Sequence, residues 1–95
     1  MNAIYYECHV TVAPVFGERL EALQRLAAEY DFKVAKLLMG KGLSAKDSFC
    51  TGHAKDFESL QDRMLRLSED LARHDFLLWR RKIEAVVLDE RFARE

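Results

Sequence analysis

Between Ile4 and Val12 the chain alternates with a period of two: Ile4, Tyr6, Cys8, Val10 and Val12 fall on one parity, and Tyr5, Glu7, His9 and Thr11 on the other. Successive side chains of an extended chain point to opposite faces, so this pattern is that of a strand with one apolar and one polar face. The apolar face must be covered by another layer, while the polar face is free to meet water or a ligand. Pro14, which has no N–H for a ladder, closes the strand. The period then lengthens: Phe16, Leu20, Leu23, Ala27 and Tyr30 recur at steps of three and four, with Glu18, Arg19, Glu21 and Arg25 turned outward. That is an amphipathic helix, and it supplies the missing cover.

The same alternation of elements repeats downstream. Asp31 ends the helix, and Phe32 to Met39 (FKVAKLLM) reads as a second strand whose faces are blurred around Ala35 and Lys36. Gly40 to Asp47 (GKGLSAKD) is a connection, and Ser48 to Lys55 (SFCTGHAK) resumes the extended pattern. Asp56 is placed to cap a second helix, whose apolar side is Phe57, Leu60, Met64, Leu67 and Leu71. His74 and Asp75 end that helix, the histidine where a helix C-terminus favours a cation. Leu77 to Asp89 is the last strand, with Trp79, Ile83, Ala85 and Val87 on one parity, of which Ile83, Ala85 and Val87 are assigned to its covered face. Strand, helix, strand, strand, helix, strand predicts an α+β fold, a ferredoxin-like βαββαβ sandwich. Its single antiparallel sheet would run in the order 4-1-3-2 with both helices on one face, and a chain of 95 residues fits one such domain over residues 1–95.

Charge and composition narrow the partners. Fifteen Lys and Arg against 16 Asp and Glu leave a net charge of −1, which lacks the basic field expected of a nucleic-acid binder. No stretch approaches the ~18 apolar residues of a membrane span, and Met1 to Val12 has no basic, apolar leader, so a cytoplasmic location is expected. Cys8 and Cys50 match no metal-knuckle spacing and read as reduced thiols of the core.

Chemistry concentrates on the bare face of the sheet. With Cys8 and Val10 inward, Glu7 and His9 point outward; with Cys50, Gly52 and Ala54 inward, Thr51 and His53 do so; with Ile83 and Ala85 inward, Lys82 and Glu84 do so. Directly opposed residues on neighbouring strands lie about 4.5–5.5 Å apart at Cβ. Glu7, His9, His53 and Glu84 therefore form a candidate metal-ligand set of imidazoles and carboxylates, suited to a divalent ion such as zinc or manganese. Glu7, Thr51, Lys82 and Glu84 are candidate contacts to a small ligand. Without metal, a histidine beside a carboxylate can act as a general base, which makes His9 and His53 catalytic candidates. A purely solvated face carries the same residue types. Tyr5, Phe49, Val86 and Leu88 on that face would equally suit a homodimer in which a second copy covers it.

Two resemblances are carried by these segments. YYECHVTV (5–12), DSFCTGHAKDF (47–57) and WRRKIEAVVLD (79–89) resemble a group of short uncharacterised bacterial proteins, which implies no particular reaction. His9-Val10-Thr11-Val12 is similar to the HxTx motif of two-histidine phosphoesterases. That resemblance implies an acid or base role for His9 and phosphate binding by Thr11. The family uses two such motifs; here His53 is followed by Ala54 and Lys55, so a second copy of His9 in a homodimer would have to supply the other.

Overall fold

The computed structural model describes residues 2–34 and 48–92. Its elements follow in the order β1 (Tyr5–Val12), α1 (Glu18–Glu29), β2 (Lys33–Val34), β3 (Ser48–Ala54), α2 (Phe57–Arg73) and β4 (Leu78–Val86). The four strands form one sheet in the order β2-β3-β1-β4, every neighbouring pair antiparallel. This is the expected ferredoxin-like α+β sandwich. Residues 35–39 of the expected second strand and the connection 40–47 lie outside the described residues.

Both helices pack on the side of the sheet that carries Cys8, Val10, Val12 and Cys50. These join Leu23 and Ala27 of α1 and Leu60, Met64, Leu67 and Leu71 of α2 in one buried cluster. The period-two and period-3.6 patterns thus meet face to face, which is the packing the alternation required. Asp56 caps α2 as its position suggested, accepting a hydrogen bond from the Ser59 amide at 2.8 Å.

The two helices end alike, in a way residue spacing did not disclose. After α1, Asp31 adopts φ 59°, and the amides of Asp31 and Phe32 donate to the carbonyls of Ala28 and Ala27 at 3.1 and 2.9 Å. After α2, Asp75 adopts φ 65°, and the amides of Asp75 and Phe76 donate to Ala72 and Leu71 at 3.1 and 2.9 Å. Each is a left-handed cap closed by a six-to-one hydrogen bond, with an aspartate at the strained position and a buried phenylalanine just beyond it. Phe32 and Phe76 thereby seal the core below each helix end. Phe32 also explains Gly52. A Cβ at that glycine would lie 2.8–2.9 Å from three atoms of the Phe32 ring, so the ring occupies the volume a side chain would need.

Three expectations about apolar faces need correction. Phe16, assigned to the inner face of the first helix, precedes α1 and is 60% exposed. Phe57, assigned to the inner face of the second, is exposed and makes an edge contact with Tyr6. Val87 and Ala85, assigned to the covered face of the last strand, are exposed, as is Trp79 of the same parity, and Ile83 is half-buried. Two causes act on β4. It is an edge strand, which the helical layer covers poorly, and its register against β1 shifts between Thr11 and Val12. Arg80 opposes Thr11 and Leu78 opposes Val12, so Trp79 is the extra residue of a bulge, thrown out of the alternation.

Candidate functional site

The bare face is ordered by register into rows across the sheet. Glu7 on the inner strand β1 is flanked by His53 of β3 and Glu84 of β4; His9 is flanked by Thr51 and Lys82; Thr11 is flanked by Phe49 and Arg80. Lys33 of β2 extends the His9 row beyond Thr51. Glu7, His9, Thr11, Thr51, His53, Lys82 and Glu84 therefore share one surface, as the parity argument expected. The face is polarised along the strands. Glu7 and Glu84 make one row acidic, while Lys33, Lys82 and Arg80 make the next two cationic, with His9 on the border.

Glu7 is the hub. Its Oε2 meets His53 Nε2 at 2.9 Å, and its Oε1 lies 3.5 Å from His9 Nε2. One donor atom from each of Glu7, His9 and Glu84 can be taken such that all lie within 4.8 Å of one another. Ligands held tetrahedrally about 2.1 Å from zinc stand roughly 3.4 Å apart, so modest side-chain movement would close such a shell. His53 has a different place from the other three: it braces the second oxygen of Glu7 rather than joining that trio. His53 is 51% exposed at its side chain, His9 only 27%, so His9 is the better sheltered imidazole. Glu84 meets the Lys82 ammonium at 3.1 Å, a contact any cation bound to Glu84 must share or displace.

Aromatic rings fix both imidazoles. Phe49 packs against His9 with ring centroids 5.5 Å apart, and Tyr5 packs edge-on against His53 at 5.6 Å. The Tyr5 hydroxyl donates to Asp89 Oδ2 at 2.7 Å, and Arg91 donates to the same carboxylate. The bond to Tyr5 holds the Asp89 carboxyl below its ordinary range and pushes the Tyr5 phenol up. A further clamp lies under the site. Arg63 of α2 donates to the carbonyls of Tyr30 at 2.9 Å and of His53, tying the end of β3 to the end of α1.

Parity could have found Arg80, which shares the face of Lys82 and Glu84. Asp89 and Arg91 could not have been found that way, because they follow β4 and no alternation places them. Cys8 and Cys50 take no part in this surface. Both are free and buried, and desolvation pushes their thiols up to about 11 and about 12, so they remain protonated and unreactive at neutral pH. Among the described residues no helix is long and apolar enough to cross a membrane. Comparison with protein-family models, curated proteins and solved structures returns no match, so the chemistry of the site rests on its own residues.

Proposed function

We propose that this domain binds a divalent cation of the zinc or manganese type on the bare face of its sheet, with Glu7, His9 and Glu84 as ligands. The observation that carries the reading is the convergence of one imidazole and two carboxylates, with donor atoms mutually within 4.8 Å. Nitrogen and oxygen donors in this ratio suit zinc and manganese. Three protein ligands leave a coordination position for water or for an oxygen of a small ligand, which Thr51 and Lys82 would then contact. His53 serves by orienting Glu7 through the 2.9 Å bond. Removing such a supporting partner costs about 10–100-fold in metal affinity.

Calorimetric titration with zinc and manganese tests this. Wild-type protein is expected to bind one ion per chain, His9→Ala none, and His53→Ala more weakly by roughly tenfold or more. Undiminished binding by His9→Ala, or no binding by wild type, would overturn the reading.

A second reading is favoured by the cationic rows beside the cluster. Arg80 opposes Thr11 and Lys82 opposes His9, so a phosphate-bearing ligand would find two cations next to the HxTx pair. On that reading His9 is the acid or base and Thr11 holds the phosphate, and turnover of a generic phosphodiester disappears in His9→Ala. Turnover at wild-type rate by that variant would exclude it. The cation reading leaves the bare face to a ligand, so a homodimer compatible with it uses a different surface.

A further inference from the structure

β4 is hydrogen-bonded to β1 along one side, and no described residue pairs with its other side. An exposed edge of this length presents a row of unpaired backbone donors and acceptors, a template for another strand. The bulge at Trp79 leaves Arg80–Val86 as the regular part of that edge, a stretch centred on Ile83.

We propose that β4 pairs antiparallel with β4 of a second copy about a two-fold axis at Ile83, extending the two sheets into one continuous sheet with all helices on the same side. Among two-fold centres from Arg81 to Glu84, the charges select this register. Centred on Ile83, Lys82 opposes Glu84 of the partner subunit and Glu84 opposes Lys82 of the partner subunit, two reciprocal cross-strand ion pairs. Arg81 then faces Ala85 of the partner subunit, and Arg80 faces Val86 of the partner subunit. Centred on Lys82, the pairing would oppose two lysines; on Glu84, two glutamates; on Arg81, it would set Arg81 against itself and Arg80 against Lys82. Like charges directly opposed destabilise a sheet, so these alternatives are disfavoured. Ile83, half-buried in the single chain, would complete its burial against its symmetry mate. The exposed Trp79 and Val87 flank the pairing at either end. In the single chain Lys82 and Glu84 meet each other, so both side chains already lie on the face where the cross-strand pairs would form.

The test uses the full chain with a chelator present, so that it stands apart from the cation reading. Molar mass is measured by light scattering and sedimentation across a concentration series for wild type, Lys82→Glu, Glu84→Lys and an equimolar mixture of the two variants. Wild type is expected to dimerise. Each single variant turns two attractive pairs into two repulsive ones and is expected to dissociate at least roughly tenfold more readily. The mixture is expected to regain dimers, because one variant is then acidic at both positions 82 and 84 and faces a partner that is basic at both. That recovery also shows that both variants are folded. A wild-type chain that stays monomeric at millimolar concentration overturns the proposal. So does a dimer indifferent to either reversal, or a mixture that stays as dissociated as its components.

Discussion

Replacing Gly52 by alanine isolates the contact on which the inner packing of β3 depends. The added methyl would fall 2.8–2.9 Å from three carbons of the Phe32 ring, against an optimum of about 3.5–4.0 Å. Phe32 cannot retreat easily. It is 2% exposed, its amide is held by the Ala27 carbonyl, and the Arg63 guanidinium lies 5.5 Å from the ring centroid. Overpacking of this kind costs about 1–3 kcal/mol. Alanine restricts the unfolded chain more than glycine does, returning about 0.4–1 kcal/mol. The steric term wins, and a net loss of roughly 1–2 kcal/mol is expected. At about 4–8 °C per kcal/mol for a domain this small, the melting temperature should fall by about 5–15 °C. Urea denaturation followed by circular dichroism measures the loss, and a cycle with Phe32→Leu identifies its origin. If the ring is the obstacle, the double variant is less destabilised than the sum of the singles by about 1 kcal/mol. A Gly52→Ala protein as stable as wild type, or strict additivity in the cycle, refutes the steric account.

Two further outcomes follow from the helix ends and from the bond between Tyr30 and Asp70. Asp75→Gly removes the penalty of holding a side chain at φ 65° and is expected to stabilise the fold by about 0.5–1 kcal/mol, read as a higher denaturation midpoint. The Tyr30 hydroxyl donates to Asp70, which holds that carboxyl below its ordinary 3.8 and pushes the phenol above its ordinary 10.0. The carboxyl depression contributes stability that is present above pH ~4 and is lost as the pH falls through the folded value. The phenol's contribution is present below pH ~10 and is lost as the pH rises through its folded value. Wild type should therefore exceed Tyr30→Phe in stability near neutrality and converge on it in acid. A difference that stays constant from neutral pH down to pH ~2 would sink the assignment.

The strands and helices were legible because their apolar residues repeat at the periods of a pleat and of a helix turn. The order of the sheet followed because a βαββαβ chain has few ways to cover one face. Local sequence therefore determined that Glu7, His9, Thr51, His53, Lys82 and Glu84 would share a surface. It also placed the cap at Asp56 and the two thiols in the core. Tertiary structure alone decided how those residues meet. Register made Glu7 the hub between His9 and His53 and set Glu84 across from it. A one-residue slip would have dispersed the group, and no local pattern fixes register that finely. The exposure of Trp79 was likewise beyond local reading, since a bulge depends on the partner strand rather than on the strand that carries it. Gly52 shows the same division. Its smallness was visible in the sequence as an inward-facing position without a side chain. The cause was the ring of Phe32, distant along the chain and turned inward by the left-handed cap at Asp31.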